Sequence, residues 1–247
     1  MKIWAHRGCS LRYPENTLLA FEKAASINGL EGIELDVQMT KDGELVVIHD
    51  EKVDRTTDGK GFVKDYTLAE LKKLHIKTIN EELDLRIPTL SEVLDLLQDK
   101  MIKGLKLNIE LKNSIVMYPG MEKKIIDLVN QYGVSEKVVY SSFYVKSLEI
   151  VRKLAPNAEI GMLDNKASDC IYKMNGNCGA NAIHPYVKGM DIDDMDTLKE
   201  KIGKINVRAW LTGYLYPEKP SGKILDIKKL ENSGITDVFL NEPEVYL

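Results

Sequence analysis

Two acidic residues lie two positions apart in an apolar segment near the start of the chain. Glu34 and Asp36 fall within GIELDVQM, a run rich in aliphatic residues. Successive side chains of a β-strand point to opposite faces, so residues two apart share a face. In a second apolar segment, KLNIELK, Glu110 and Lys112 repeat that spacing. Each segment therefore presents a pair of charged side chains on one face of a predicted strand.

Charged residues also close the first apolar segment, KIWAHRG, where His6 and Arg7 follow Ala5. Charges at the ends of buried strands are costly unless they are paired or bound to a metal. Any one of them taken singly fits a structural ion pair. Their concentration at three predicted strand ends favours a functional site, because enzymes built on parallel barrels place catalytic groups at that level.

A predicted hairpin adds a second histidine to this group. The segment TKDGEL separates the strand of the paired carboxylates from another apolar run, VVIHD, and Asp-Gly is a strong signal for a two-residue hairpin loop. With Asp42 and Gly43 as that loop, the register places Asp36 directly opposite His49. Directly opposed residues point to the same face. The sequence therefore predicts that His49 lies beside the carboxylates.

The predicted cluster has the components that phosphodiester cleavage requires. Three carboxylates offer the oxygen ligands that Mg²⁺, Ca²⁺ or Mn²⁺ prefers, and they suit zinc less well. Arg7 and Lys112 supply fixed positive charge for a phosphoryl group. His6 and His49 can serve as general base and general acid near neutral pH. We therefore expect a metal-assisted reaction in which a histidine protonates the leaving alcohol.

Eight apolar segments alternate with amphipathic helical patterns along the chain. The predicted strands are 2–8, 32–39, 106–112, 138–143, 159–164, 182–187, 205–212 and 236–243. The predicted helices include NTLLAFEKAASING, PTLSEVLDLLQD, MEKKIIDLVNQYG, VKSLEIVRKLAP and ILDIKKLENSG. Such an alternation over 247 residues predicts a (β/α)8 TIM barrel. Periodicity alone leaves an open doubly wound sheet as an alternative.

Residues 51–86 interrupt the alternation. They are polar and contain one helical pattern, TLAELKKL. We interpret them as an insertion above the barrel, at the end where loops build active sites. No Ser/Pro-rich linker divides the chain, so residues 1–247 are expected to form one domain that carries this insertion.

Composition excludes several classes of function. The net charge of −4 argues against binding nucleic acid through a general basic surface. No stretch approaches the length of a transmembrane helix, and the first residues lack the apolar run of a signal peptide. Cys9, Cys170 and Cys178 are an odd number, so reduced thiols are expected. These features predict a cytoplasmic protein with a small-molecule substrate, and they leave its oligomeric state open.

The motifs around these residues resemble those of the glycerophosphodiester phosphodiesterase family. They are HRG (6–8), PENT (14–17), ELDVQMTKDGELVVIHDEKVDRTTDGKG (34–61), IPTLSEVL (87–94), NIELK (108–112) and VVYSSF (138–143). The resemblance implies metal-dependent hydrolysis of glycerophosphodiesters to sn-glycerol 3-phosphate and an alcohol. A phospholipase D-like or phosphatidylinositol phospholipase C-like lipid hydrolase, or a catalytically silent binding barrel, is an alternative. The polar insertion favours a soluble substrate, and every expected catalytic residue is present.

The resemblance also assigns roles to individual residues. The matching positions are Glu34, Asp36 and Glu110 as metal ligands, His6 and His49 as the acid/base pair, and Arg7 and Lys112 as phosphate contacts. One divalent cation is implied, Mg²⁺ or Ca²⁺, with Mn²⁺ as a further candidate. Glu15 and Asn16 are expected to support these groups, and a helix-capping role fits Asn16 equally. Which histidine is the base stays open.

The last third departs from the family pattern. AWLTGYLYPEKPSGK and FLNEP stand where the family usually carries other segments. Because those strand ends line the pocket, the alcohol that is released stays open. Phe143, Tyr186 and Trp210 are candidate pocket walls, although such aromatic residues are more often core. His184, before Pro185 at a predicted strand end, could face the pocket, but a structural histidine is the preferred interpretation. Cys9 has no obvious base as a partner, so no thiol nucleophile is expected.

The nucleophile is expected to come from water or from the substrate itself. No serine, cysteine or threonine accompanies a histidine in a way that would suggest a covalent enzyme intermediate. In a glycerophosphodiester the 2-hydroxyl lies one carbon from the oxygen that bears the phosphate. Its high effective molarity favours intramolecular attack and a five-membered cyclic phosphate.

Overall fold

A computed structural model describes residues 1–80, 82–176, 178–190, 205–211 and 225–247. Its strands are β1 (Lys2–His6), β2 (Gly32–Met39), β3 (Leu45–Val47), β4 (Lys106–Leu111), β5 (Val138–Ser142), β6 (Glu159–Asp164), β7 (Ala182–Pro185), β8 (Asn206–Trp210) and β9 (Asp237–Leu240). They form one sheet in the order β1-β9-β8-β7-β6-β5-β4-β2-β3, and β1 also pairs with β2. Eight parallel strands thus close into a barrel, with β3 antiparallel to β2. The TIM barrel is confirmed, and the open sheet is wrong.

The helices cover the outside of the barrel, except for α2 (Leu68–Leu71), which lies within residues 51–86. They are α1 (Leu18–Ala25), α2 (Leu68–Leu71), α3 (Leu90–Ile102), α4 (Met121–Gln131), α5 (Val145–Leu154), α6 (Ala167–Asn175) and α7 (Ile227–Asn232), with short 3-10 turns at Val63–Asp65, Ser135–Lys137, Val187–Gly189 and Pro243–Val245. Helix α3 begins at a capping box, in which the side chains of Thr89 and Glu92 each bind a backbone N–H of the other. Local sequence therefore sets where this helix starts.

Alternation along β2 separates the core from the site. Ile33, Leu35 and Val37 belong to the main hydrophobic core between the sheet and the helices. Glu34 and Asp36 lie between them in the sequence and point to the other face, into the barrel. Inside the barrel a separate apolar cluster of Trp4, Val139 and Phe239 packs below these polar groups. The barrel therefore has a filled floor and a polar upper layer.

The hairpin between β2 and β3 differs from the predicted register by one residue. The backbone carbonyl of Asp36 accepts a hydrogen bond from the N–H of Ile48, so Asp36 lies opposite Ile48 and not His49. The cause is a three-residue loop, 41–43, which Gly43 closes in the left-handed region at φ +84°. Three-residue loops of this kind end in a left-handed residue and a bulge. The register prediction is wrong.

Residues 51–86 pack against this hairpin through a small apolar cluster of their own. Its buried members are Val46, Ile48, Val53, Val63, Leu71, Ile76 and Ile87. Helix α2 begins at a capping box formed by Thr67 and Glu70. The insertion is thus held on the barrel by an apolar cluster in which Val46 and Ile48 come from the hairpin.

Some predictions fall outside the described residues. The predicted strand 205–212 is described to residue 211, and the Tyr/Pro-rich stretch after it is not described. No helix among the described residues is long and apolar enough to cross a membrane. The three cysteines are buried and free, as expected for reduced thiols.

Candidate active site

A cavity of about 290 Å³ lies where the parallel strands end. It is lined by His6, Arg7, Glu34, His49, Asn108, Glu110, Ser141, Phe143, Leu163, His184, Trp210, Leu211, Phe239 and Asn241. The side formed by β1, β2 and β4 contributes acidic and basic groups. The side formed by β5, β6, β8 and β9 contributes mainly aromatic and aliphatic groups. The cavity therefore presents charge on one side and mainly apolar surface on the other.

The three predicted metal ligands converge on the charged side. In the parallel register Asp36 lies beside Glu110, and Glu34 lies beside His6. One carboxylate oxygen from each of Glu34, Asp36 and Glu110 lies within 4.8 Å of the other two, and all three residues are buried. Adjacent strands thus bring together residues that are far apart in the sequence.

Electrostatics make this cluster unfavourable by itself. Burial, together with the charges of Asp36 and Glu110, raises the pKa of Glu34 well above its ordinary value. Burial alone would raise the pKa of Asp36 as well, but His49 and Arg7 lower it below the usual range. The pKa values of the two carboxyl groups therefore diverge, because Glu34 has negative neighbours and Asp36 has positive ones.

The donor set fits a hard divalent cation. Asn16 Nδ2 donates to Asp36 Oδ2 at 2.9 Å, whereas the buried Asp36 Oδ1 has no hydrogen-bond partner. A buried carboxylate oxygen without a donor is costly unless a cation compensates for it. The three carboxylates also outnumber the adjacent fixed cations, Arg7 and Lys112, by one. An all-oxygen set of this kind suits Mg²⁺, Ca²⁺ or Mn²⁺.

The raised pKa of Glu34 predicts a specific pH dependence of stability. Folded protein retains a proton on Glu34 above pH 4.5, where an unfolded glutamate has lost it, so stability falls as pH rises toward the raised pKa. In excess chelator, the unfolding free energy of wild type should therefore fall relative to that of Glu34→Gln as pH rises from 5 to 8. Urea unfolding measures the difference. A difference independent of pH would contradict the electrostatic description of the cluster.

Arg7 is held in an unusual backbone conformation. Its φ of +57° is left-handed, which costs roughly 1–2 kcal/mol for a residue with a side chain. The Arg7 N–H donates to Glu34 Oε2 at 3.0 Å, and its Nη1 donates to Glu15 at 2.9 Å. Gly8 follows at φ +81°, where an added Cβ would lie 2.7 Å from the backbone of Ala20. The HRG motif thus turns the chain sharply and directs Arg7 into the cavity.

Lys112 completes the fixed positive charge. Its Nζ lies 3.1 Å from Glu110 Oε1 and 3.8 Å from Asp36 Oδ1. Burial alone would lower the pKa of Lys112, but the two carboxylates raise it above its ordinary value. The ammonium therefore stays charged in the pH range of any assay.

The two histidines have different hydrogen-bond partners. His6 Nδ1 bonds to the amide oxygen of Asn241 at 2.7 Å, so Nδ1 carries the proton. Burial and the charge of Arg7 lower the pKa of His6 to about 3. His49 Nδ1 instead bonds to the carboxylate of Asp50 at 2.6 Å. His49 lines the cavity although its predicted register is wrong, because β3 ends before it and strand alternation no longer applies.

Glu15 and Asn16 both contact the cluster. Glu15 bonds to Arg7 and also to Arg55 of the insertion, at 2.7 and 2.8 Å. Asn16 bonds to Asp36, and the residue that caps α1 is Thr17. The helix-capping interpretation of Asn16 is therefore wrong, and its left-handed φ of +55° is compatible with the residue's role beside the carboxylates.

The candidate aromatic walls divide into two groups. Phe143 and Trp210 line the cavity and meet edge to face, with ring centroids 6.3 Å apart. Tyr186 lies behind Trp210, with centroids 4.9 Å apart, and does not line the cavity. Trp210 is fixed by a bond from its Nε1 to the carbonyl of His184 at 3.0 Å.

Sequence reasoning missed several cavity residues. Asn241 orients His6 from the end of β9, and Asn108 and Ser141 are hydrogen-bonded cavity residues on β4 and β5. His184 also lines the cavity, so the pocket-facing alternative holds and the preferred structural interpretation is incomplete. Polar residues within or directly after predicted strands were the available signal. Cys9 is not among the lining residues, and burial followed by the charge of Glu244 raises the pKa of its thiol to about 12.

The closed barrel and this cluster define a TIM-barrel phosphoric diester hydrolase. A family model described as the glycerophosphoryl diester phosphodiesterase family matches residues 6–244. The chain belongs to that family, as its motifs indicate.

Individual relatives are similar along most of the chain. A glycerophosphodiester phosphodiesterase of Caldanaerobacter subterraneus subsp. tengcongensis is 42% identical over 247 residues, which span 99% of this chain and 96% of that protein. One from Bacillus altitudinis is 44% identical over 196 residues, or 77% and 78% of the two chains. An Oleispira antarctica phosphodiesterase, solved in complex with the product sn-glycerol-3-phosphate, has a TM-score of 0.81 and 26% identity, with 99% of this chain and 94% of that chain covered.

Proposed function

We propose that this protein hydrolyses glycerophosphodiesters to sn-glycerol 3-phosphate and an alcohol. The observation that carries the proposal is a cluster of three buried carboxylates, with Arg7 and Lys112 each within 3.8 Å of one of them, beside a cavity that both His6 and His49 line. The names of the relatives and the product bound to the Oleispira antarctica protein support this substrate class. The remaining predictions, one domain over residues 1–247 with an insertion at 51–86 and a cytoplasmic location, are part of the same proposal.

The phosphate is held by positive charge on the acidic side of the cavity. Arg7 offers a planar guanidinium suited to two phosphate oxygens, and Lys112 acts as a point charge. Glu34, Asp36 and Glu110 would hold one divalent cation, which would stabilise negative charge on the phosphoryl oxygens. The apolar side, including Phe143 and Trp210, then accommodates part of the substrate that carries no negative charge.

The hydrogen-bond partners support His6 as the base and His49 as the acid. The neutral amide of Asn241 holds the proton of His6 on Nδ1 and leaves Nε2 free to accept one. The Asp50 carboxylate accepts from His49 Nδ1, so the proton that His49 can give to the leaving group is the one on Nε2. This is the arrangement that proton transfer from the nucleophile and to the leaving group requires.

The reaction then proceeds in two steps. His6 Nε2 removes the proton of the substrate 2-hydroxyl, whose oxygen attacks phosphorus while His49 gives its Nε2 proton to the departing alcohol. The product of this step is a five-membered cyclic phosphate. In the second step His49, now neutral, takes a proton from water, and the water oxygen attacks phosphorus. His6 returns its proton to the 2-oxygen, which releases glycerol 3-phosphate and restores both histidines.

A direct assay tests the proposed activity. Glycerophosphocholine, glycerophosphoethanolamine and glycerophosphoglycerol are incubated with the protein in chelator and with added Mg²⁺, Ca²⁺ or Mn²⁺. Release of glycerol 3-phosphate that depends on a cation is the expected result. Binding of these compounds with no turnover under any condition would favour a silent binding barrel instead.

The role of the 2-hydroxyl predicts the behaviour of a deoxy substrate. An analogue that lacks only this hydroxyl retains its phosphate contacts and should bind with similar affinity. It should turn over at least about 1,000-fold more slowly, because an intramolecular nucleophile has lost its high effective molarity. Turnover and competitive inhibition measure the two quantities. A comparable rate for the deoxy analogue would make water the nucleophile.

A further inference from the structure

A series of hydrogen-bonded ions connects Arg7 to His49. Arg55, in the insertion, donates to Glu15 at 2.7 and 2.8 Å and to Asp50 at 2.7 and 3.0 Å. Glu15 also accepts from Arg7, the phosphate contact, at 2.9 Å. Asp50 also bonds to His49 at 2.6 Å. One guanidinium therefore bridges the carboxylates that contact Arg7 and His49.

We propose that Arg55 is a positioning residue, which fixes His49 as the general acid by holding Asp50 in place. The inference rests on the proposed function, because that function assigns the acid to His49. The inference also gives the insertion a role in the reaction. The insertion supplies Arg55, whereas the reacting groups belong to the barrel and its hairpin.

The geometry explains why Arg55 acts through Asp50. A guanidinium has five N–H donors in a rigid fork, and four of them are used in the bonds to Glu15 and Asp50. Both oxygens of Asp50 accept from Arg55, and one of them also meets His49 Nδ1. Asp50 is therefore fixed in the orientation that the imidazole needs. Arg55 is not among the residues that line the cavity.

The backbone of the same segment has a separate support. Gln38 Nε2 lies 3.1 Å from the carbonyls of Ile48 and His49 and 2.6 Å from that of Asp50. The amide oxygen of Gln38 accepts from the Tyr118 hydroxyl at 2.9 Å. Loss of Arg55 thus leaves this backbone held and releases the side chains of Asp50 and His49. Glu15 also loses its two bonds to Arg55, but it keeps its bond to Arg7. The expected defect is one of orientation and not of folding.

The experiment compares Arg55→Gln with wild type on two kinds of leaving group. With glycerophosphocholine the variant should lose about 10- to 100-fold in kcat with little change in KM, as for other residues that orient catalytic groups. With a p-nitrophenyl glycerophosphodiester the loss should shrink to a few-fold, because p-nitrophenolate leaves without a proton. Arg55→Lys keeps the positive charge but loses the forked guanidinium, so its kcat with glycerophosphocholine should lie between those of wild type and Arg55→Gln.

Arg86→Gln is the matched control. Arg86 also lies in the insertion, and its side chain bonds to Asp84 at 2.7 Å and to the carbonyl of Lys73 at 2.7 Å, neither of which contacts Asp50. This variant should retain wild-type kinetics on both substrates. Both variants are checked by urea unfolding, so that a loss of kcat is compared at equal folded fractions.

Each outcome decides the inference. A rise in KM at constant kcat would make Arg55 a substrate contact, and an equal loss with both leaving groups would show a general structural role; either result overturns it. If wild type itself cleaves no glycerophosphodiester, the proposed function fails, and NMR of the His49 ring decides the positioning role separately. A slowly exchanging Nδ1–H signal in wild type that exchanges faster in Arg55→Gln supports it, and equal exchange in both overturns it.

Discussion

Replacement of Glu34 or Glu110 by glutamine is expected to reduce turnover on the order of 1,000-fold or more, because each change removes an anionic ligand from a site that stabilises transition-state charge. Glutamine keeps the size of the side chain and one oxygen, so the barrel should remain folded. The matched control is Glu31→Gln. Glu31 lies at the opposite end of β2 and pairs with Lys2 and Lys106 at 2.8 and 2.9 Å. This variant should keep wild-type turnover.

Cation binding supplies a readout that is independent of activity. A ligand that binds only the folded state stabilises it by about 2.7 kcal/mol at 100 times its Kd. Added Mg²⁺, Ca²⁺ or Mn²⁺ should therefore raise the Tm of wild type and of Glu31→Gln, but not that of Glu34→Gln or Glu110→Gln. The cation that gives the larger rise at equal concentration identifies the preferred metal. Full activity of wild type in excess chelator would rule out the metal site.

The second large effect concerns the leaving group and His49. With an alkyl alcohol as the leaving group, His49→Ala should lose about 10²- to 10⁴-fold in kcat, the usual contribution of a general acid. With the p-nitrophenyl glycerophosphodiester, the same variant should release p-nitrophenol at most of the wild-type rate, because the phenolate is stable without a proton. The ratio of the two rates therefore measures the acid function alone.

His6→Ala should behave differently on the same two substrates. Its role as base is needed to activate the 2-hydroxyl whichever group departs, so both substrates should lose rate to a similar extent. The pair of variants thus separates acid from base without any assumption about the metal. If His6→Ala keeps most of its rate on the substrate with the p-nitrophenol leaving group and His49→Ala does not, the roles of acid and base must be exchanged. If neither is rescued, proton donation to the leaving group is not the role of either histidine.

Local periodicity was enough to predict much of the fold and the acidic cluster. The strands that carry Glu34 and Glu110 were predicted with at most one residue of error at an end, 32–39 and 106–112 against Gly32–Met39 and Lys106–Leu111. Side-chain direction in a strand alternates at every residue, so the spacing of Glu34 and Asp36 determines that they share a face. Repetition of the strand and helix pattern over the whole chain then favours the barrel.

The hairpin shows where local rules were insufficient. Asp-Gly favours a two-residue loop, but Thr40 Oγ1 donates to Asp42 at 2.6 Å and accepts from the N–H of Glu44 at 2.8 Å, which stabilises a three-residue loop. The position of His49 at the cavity is not set by the pairing of β2 with β3. The strand ends at Val47 and the side chain of Gln38 holds the segment beyond it.

The sequence by itself determined the strand faces, several helix starts and which charged residues share a face of a strand, because these depend on neighbours a few residues apart. Only the tertiary structure decided which partner each group has. Asn241 meets His6 across 235 positions, and Arg55 meets Glu15 across 40. Such contacts depend on barrel closure, which brings β9 beside β1, and on the packing of the insertion. Those partners separate a neutral His6 from a carboxylate-bound His49, and no local pattern in the chain encodes that difference.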